Sequence, residues 1–90
     1  MSSTLTVRYF AAARAAAGVE TETLPLASAC TLEEFRALLV AAHPEPPAGE
    51  PPLSTVVPQC SFLVGGMTLL DGAVIEPGAT VDVLPPFSGG

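Results

Sequence analysis

The middle of the chain carries the strongest constraint on the fold, a helix start signal followed by an amphipathic pattern. Thr31 stands three residues before Glu34, the capping-box spacing in which the hydroxyl and the carboxylate each satisfy a free amide at a helix start. The helix is predicted to end near His43, because Pro44 cannot continue it. Its apolar stripe consists of Leu32, Phe35, Leu38, Leu39 and Ala42. A single helix with one apolar stripe needs a sheet to cover that stripe.

The segments before this helix have the pattern of β-strands. Residues 4–10 place alternate apolar side chains on one face, which predicts a half-buried strand, and Phe10 falls on the other face. Ala11 to Ala17 form an alanine-rich run with high helix propensity that stops at Gly18, a residue suited to a left-handed cap. Val19 to Leu26 is rich in β-branched residues and predicts a second strand. We therefore expect an antiparallel pair of strands joined by a short helix.

The second half of the chain begins with a proline-rich segment. Residues 44–58 hold six of the ten prolines, which predicts a loop that is ordered at its Leu53 and Val56-Val57 end. Phe62 to Val64 and Met67 to Leu69 flank Gly65-Gly66, the spacing of a tight β-hairpin. Val81 to Leu84 alternates again and predicts the last strand.

These elements add up to an α+β fold with one main helix packed on one face of a small mixed sheet. The first and last strands have the most regular alternation, and a helix lies between them in the chain. We therefore expect them to pair in parallel at the centre of the sheet. This arrangement is the β-grasp, or ubiquitin-like, fold, predicted here for residues 1–84 and followed by an extended tail over residues 85–90.

Charge and composition exclude several classes of function. A chain of 90 residues predicts one domain, and its net charge of −6, with three arginines and no lysine, leaves no basic patch for nucleic acid. No apolar run approaches the roughly 18 residues of a membrane span, and no signal-peptide pattern opens the chain, so we expect a cytoplasmic protein that does not bind membranes. Cys30 and Cys60 lack a metal or redox spacing and are expected to be buried thiols. The single histidine makes a metal site improbable.

The last six residues suggest a chemical role. Pro85-Pro86 fix the backbone and lack amide donors, so the segment is expected to leave the sheet extended. Gly89-Gly90 carry no side chains and could enter a narrow channel with the terminal carboxylate as the reactive group. A carboxylate must be activated before it can carry another group, for example by ATP as an acyl-adenylate, after which a sulfur donor could leave a thiocarboxylate. Because the chain has no phosphate-binding GxxxxGK[ST] motif, the activating enzyme is expected to be a separate protein.

These features together resemble the MoaD/ThiS family of ubiquitin-like sulfur carriers. The resemblance rests on Val7-Arg8-Tyr9-Phe10-Ala11, the early helix ending at Gly18, the capped helix from Thr31, and the run from Val81 to Gly90. Within the family, the pattern of paired prolines followed two residues later by two glycines resembles the tail of the small subunit of molybdopterin synthase. The proline-rich segment 44–58 departs from what the resemblance leads us to expect.

The resemblance implies a cycle of sulfur transfer. An E1-like enzyme would adenylate Gly90 with ATP, and sulfur would then be loaded as a C-terminal thiocarboxylate. The tail would enter the large subunit of molybdopterin synthase, in a heterotetramer, and donate sulfur to cyclic pyranopterin monophosphate during molybdenum cofactor biosynthesis. The chain would bind no cofactor itself and would be a sulfur-donating subunit, not an enzyme alone.

The candidate site residues follow from this cycle. Gly90 would carry the acyl and thiocarboxylate groups. Gly89 would meet the steric requirement beside it, because it has no side chain. Pro85-Pro86 would act as a stiff spacer, and the partner contacts would extend through Phe87 and Ser88. Phe10 and Phe87 are predicted to contact partners, because neither belongs to the alternating buried face and aromatic residues often anchor interfaces.

Two other interpretations remain open at this point. The chain could carry sulfur for another pathway that makes thiamine, cysteine or a thiosugar. It could also be a ubiquitin-like modifier, with Gly90 joined to a lysine of another protein.

Overall fold

The first and last strands pair in parallel at the centre of the sheet, as the sequence predicts. In the computed structural model, which describes residues 3–86, β1 (Thr4–Tyr9) lies directly beside β7 (Thr80–Leu84). Val7 is the partner of Val81, and Arg8 is the partner of Asp82. Since alternate side chains point to opposite faces, Val7 and Val81 face the core while Arg8 and Asp82 face away from it.

The remaining strands extend this central pair on both sides. The strands are β2 (Thr21–Pro25), β3 (Cys30–Thr31), β4 (Ser61–Val64), β5 (Met67–Thr68) and β6 (Val74–Ile75). Within residues 3–86 the main sheet has the order β2-β1-β7-β4-β5, and β3 pairs with β6 in a separate ribbon. Both predicted antiparallel hairpins, β1 with β2 and β4 with β5, are confirmed. The β3–β6 ribbon was not predicted, because two-residue strands leave no periodic signal.

One long helix covers a single face of this sheet. Helix α2 (Leu32–Ala42) begins at the predicted capping box, in which Thr31 Oγ1 accepts from the Glu34 amide and Glu34 Oε1 accepts from the Thr31 amide. Phe35 meets Phe62 of β4 edge to face, with ring centroids 5.7 Å apart. Leu32, Phe35 and Leu39 of the predicted stripe are buried, whereas Ala42 is exposed.

The short helix α1 (Ala11–Ala17) connects β1 to β2. It ends at Gly18, which adopts the left-handed conformation and donates its amide to Arg14 O at 2.9 Å. A Cβ atom at this position would lie 3.1 Å from Cγ of Pro47, so the proline-rich segment passes close over the cap.

The predicted loop over residues 44–58 is ordered at its Leu53 and Val56-Val57 end, as expected, but this end is helical and not a loop. A single turn, α3 (Leu53–Val56), is followed by a 3-10 helix (Val57–Gln59). Pro52 stands at the N-cap of α3 and Pro58 in the first turn of the 3-10 helix. The first amides of a helix have no partner within it, so a missing N–H costs little at these places. The apolar residues between the prolines anchor the segment in the core, where Leu53 and Val57 are buried.

Candidate functional site

The predicted tail leaves the sheet from its central strand. β7 is hydrogen-bonded to β1 on one side and to β4 on the other, and its last paired residue is Leu84, opposite Ser61. Pro85 is half-buried and Pro86 is exposed. The ladder ends where the prolines begin, because proline cannot donate a backbone hydrogen bond to a neighbouring strand. The chain therefore passes from the most enclosed strand of the sheet to the surface within two residues.

Phe10 lies beside this exit. Its backbone amide donates to Val83 O at 3.2 Å, and its side chain is half-buried. The guanidinium carbon of Arg8 lies 5.4 Å from the centroid of the Phe10 ring, within the range of a cation–π contact. The structure thus brings Phe10, Pro85 and Pro86 to the same end of the sheet. Their contact with a partner remains a prediction.

The sheet face opposite α2 carries a patch of charged and apolar side chains, which we call the open face. It is formed by Arg8, Phe10, Leu63, Asp82 and Leu84. Strand register places them together, because Asp82 pairs with Arg8 on one side and with Leu63 on the other. Leu84 lies two residues after Asp82, and Phe10 lies two residues after Arg8 in extended backbone just beyond β1. Both side chains therefore point to the same face as Asp82 and Arg8. Leu63 and Leu84 are half-buried, so their apolar surface is available to a second protein.

An ion pair occupies the middle of the open face. Arg8 Nε lies 3.4 Å from Asp82 Oδ1, with the two side chains 52% and 27% exposed. The contact has the distance of a salt bridge but not hydrogen-bond geometry, and Asp82 Oδ1 is buried without a hydrogen-bond partner among the described residues.

A second polar cluster lies on the helix side, and no sequence pattern predicts it. Glu22 of β2 accepts through Oε2 from the Tyr9 hydroxyl at 2.5 Å, and the same oxygen lies 2.5 Å from His43 Nε2 at the end of α2. Burial, with Glu22 as hydrogen-bond partner and nearby negative charge, raises the pKa of Tyr9. The group is enclosed and serves to hold β1, β2 and α2 together.

The two cysteines are poor nucleophiles in this fold. Burial raises the pKa of Cys60 to about 11. Burial and then the nearby Glu34 carboxylate raise the pKa of Cys30. Because the thiolate is the reactive form, both thiols are protonated at neutral pH. Neither therefore offers a loading site for sulfur.

The other predicted site residues, Phe87, Ser88, Gly89 and Gly90, lie outside the described residues. Within residues 3–86 the structure contains no cluster of three or more His, Cys, Asp or Glu side chains that could hold a metal. In the same part of the chain, no helix has the length and apolar character needed to cross a bilayer.

A mixed sheet with one long helix on one face, an open second face and a central last strand that runs out through two prolines defines a ubiquitin-like β-grasp protein. Two solved structures share this fold. A candidate molybdopterin converting factor, subunit 1, from Pyrococcus furiosus has a TM-score of 0.75 at 22% identity, covering 94% of this chain and 99% of that one. SAMP1 from Haloferax volcanii has a TM-score of 0.71 at 21% identity, covering 97% of this chain and 99% of that one.

Sequence comparison adds the family. The family model described as ThiS family matches residues 7–90, and the chain belongs to that family. The molybdopterin synthase sulfur carrier subunit of Chlamydomonas reinhardtii is 33% identical over 86 residues, covering 93% of this chain and 95% of that protein. The predicted β-grasp fold and membership of the MoaD/ThiS sulfur carriers are confirmed.

Proposed function

We propose that this chain is the sulfur-carrying small subunit of a molybdopterin synthase. The observation that carries the proposal is the 33% identity to the Chlamydomonas carrier subunit over 93% of the chain. The path of β7 supports it, because the strand ends at Leu84 and Pro86, two residues further on, is exposed at the surface. A cytoplasmic location is part of this proposal.

The chemistry requires a separate activating enzyme. A carboxylate oxygen of Gly90 attacks the α-phosphorus of ATP, pyrophosphate leaves, and the carboxyl group becomes an acyl-adenylate. A sulfur nucleophile then attacks the carbonyl carbon and displaces AMP, which leaves a thiocarboxylate. The first step needs a carboxylate oxygen that can reach the phosphorus, and the second needs an electrophilic carbonyl carbon that sulfur can reach. Gly89 next to this group adds no side chain that would block either approach. ATP is held by the E1-like enzyme and not by this chain.

Sulfur delivery takes place in the large subunit. The loaded tail enters that subunit's active site and transfers its sulfur to cyclic pyranopterin monophosphate, and water restores the Gly90 carboxylate. A dithiolene contains two sulfur atoms, and each carrier has one loaded end, so two loaded carriers act for each product. This stoichiometry accords with a heterotetramer of two small and two large subunits.

Loading and delivery can be tested separately. The purified chain, mixed with the E1-like enzyme, ATP and a sulfur donor, should gain the mass that replaces one oxygen by sulfur. A variant lacking Gly90 should not gain this mass, and its thermal stability should match that of the wild type. The loaded carrier, mixed with the large subunit and cyclic pyranopterin monophosphate, should yield the dithiolene product.

The outcomes separate the alternatives. Sulfur that passes to a thiazole or cysteine precursor, with no dithiolene formed, would assign the carrier to another pathway. A covalent adduct between Gly90 and a lysine of another protein would identify a modifier. Either result would refute the proposed role.

A further inference from the structure

A small apolar cleft lies at the root of the tail. Helix α1 forms one wall, the segment around α3 forms the second, and the first two tail residues form the third. The wall residues that matter here are Ala12, Pro51, Val56, Gln59, Pro85 and Pro86. None of the residues that line the cleft is charged, although the chain as a whole carries a net charge of −6. A neutral cleft on an acidic protein favours an apolar occupant.

The size of the cleft limits what it can hold. Its volume is about 270 Å³, below the range of roughly 300 to 1,000 Å³ that small-molecule sites occupy. It is open to solvent at one side and lined mostly by aliphatic groups. One large aliphatic or aromatic side chain would fill such a space, as the anchors of protein interfaces do.

The walls are fixed before any partner arrives. Val56 is 7% exposed, and its neighbours Leu53 and Val57 are buried in the core. Gln59 Nε2 donates to Thr55 O at 3.3 Å, which closes the last turn of this wall. A preformed cleft loses little conformational entropy on binding. The proline-rich segment, which the family resemblance did not explain, thereby acquires a role as one side of the cleft.

The length of the tail brings the large subunit close to the cleft. This step rests on the proposed function, in which Gly90 reaches an active site in another chain. Gly90 is four residues beyond Pro86, and four fully extended residues span at most roughly 14 Å. The large subunit must therefore bring its surface to the root of the tail, where Pro85 and Pro86 form part of the cleft.

We propose that this cleft receives one large apolar side chain of the synthase large subunit when the tail is inserted. Seating this side chain buries Ala12 and Pro51, which are exposed in the free chain, and fixes the direction in which Pro86 points. The contact acts as an anchor beside the tail and adds affinity that does not depend on the loaded sulfur.

The test adds a charge to the cleft and, as a control, to a similar place elsewhere. Ala12→Glu puts a carboxylate into the wall that α1 provides. Ala41→Glu adds the same charge to an exposed alanine of α2, outside the cleft. Calorimetric titration with the purified large subunit should show binding about tenfold or more weaker for Ala12→Glu, since a buried charge opposes docking, and little changed for Ala41→Glu.

A second variant protects the test against misfolding. Thr55→Glu puts the charge on an exposed residue of the wall that α3 provides, keeps the Gln59 hydrogen bond to the Thr55 backbone, and should weaken binding in the same direction if Ala12→Glu fails to fold. Equal affinities for the wild type and the folded cleft variants would overturn the assignment. If the wild-type carrier accepts sulfur and binds the large subunit, and the cleft variants bind it with the same affinity, the cleft assignment alone is refuted. If the wild-type carrier neither accepts sulfur nor binds the large subunit, the proposed function is refuted, and the cleft assignment with it.

Discussion

His43 Nε2 lies 2.5 Å from Glu22 Oε2, although 21 positions separate the two residues in the chain. Their contact joins the end of α2 to β2, the edge strand of the main sheet. Tyr9 donates to the same oxygen and meets the His43 ring edge to face, with centroids 5.9 Å apart. One carboxylate oxygen therefore joins three elements of the fold, since β2 carries it and β1 and the end of α2 contact it.

Removal of this acceptor should destabilise the protein. Glu22→Ala leaves Tyr9 and His43 without their partner in a half-buried place, and we expect the free energy of unfolding to fall by about 2 kcal/mol. Glu20→Ala is the matched control, because Glu20 pairs with Arg14 at the surface and its side chain is 71% exposed. The control should change stability by less than about 1 kcal/mol. Urea denaturation of both variants measures the difference, and equal losses would contradict the shared-acceptor role.

The raised pKa of Tyr9 predicts a pH dependence at the alkaline end. The folded protein holds the phenolic proton more tightly than the unfolded chain, whose tyrosine pKa is about 10. The stabilisation is complete below that pH and is lost as the pH rises, at up to roughly 1.4 kcal/mol per pH unit. Tyr9→Phe should reduce this slope. The ionisation of the cysteines contributes equally to the wild type and to Tyr9→Phe, so it cancels when the two are compared. Parallel curves of the free energy of unfolding against pH would refute the assignment of this slope to Tyr9.

Gly18 should resist substitution more than another glycine with a positive φ. Gly18→Ala forces an L-residue into the left-handed region and places its Cβ 3.1 Å from Pro47 Cγ. Gly65 also has a positive φ, but a Cβ there meets nothing within 4 Å. We expect both alanine variants to lose about 1 kcal/mol through the backbone, and Gly18→Ala to lose more because of the contact with Pro47. Thermal unfolding of the pair measures the excess, and equal losses would show that Pro47 simply moves aside.

Phe10 should contribute to partner binding more than to folding. Its ring is half-buried on the open face beside Arg8, so Phe10→Ala should weaken the affinity for the large subunit by about tenfold. Leu70→Ala provides a control, since Leu70 is 74% exposed and follows the edge strand β5. Affinities and unfolding midpoints should be measured together. Unchanged binding by a folded Phe10→Ala variant would remove Phe10 from the interface.

Gly89 should be sensitive to a single added methyl group. If the tail threads a narrow channel of the activating enzyme, Gly89→Ala should slow adenylation by on the order of tenfold through misplacement of the carboxylate. Its thermal stability should match that of the wild type. Pyrophosphate release gives the rate, and an unchanged rate in this assay would argue against a narrow channel.

Local patterns predicted the main elements well. The alternation in β1 and β7 reflects which side chains are buried, and the capping box at Thr31 and Glu34 is a contact within one turn. The parallel pairing of the end strands followed from these patterns and the connection between them. Each of these predictions depends on residues that are close in the chain or repeat in a simple period.

Other features depend on tertiary contacts and gave no local signal. The pairing of Glu22 with His43 requires the end of α2 to reach the sheet edge. Helix α3 formed inside a proline-rich segment because Leu53 and Val56 gain more by burial than proline costs at a helix start. The cleft at the tail root needs three separate stretches of chain. No single stretch could have revealed it.

The position of β7 between β1 and β4 has a mechanical consequence for a protein handled by its end. Tension applied through Pro85 acts along β7, and the ladders to β1 and β4 share it on both sides. Their hydrogen bonds lie across the strand direction and would have to yield together in shear, not one after another. If the tail is bound and withdrawn in each round of the proposed cycle, β7 is therefore expected to stay paired within the sheet.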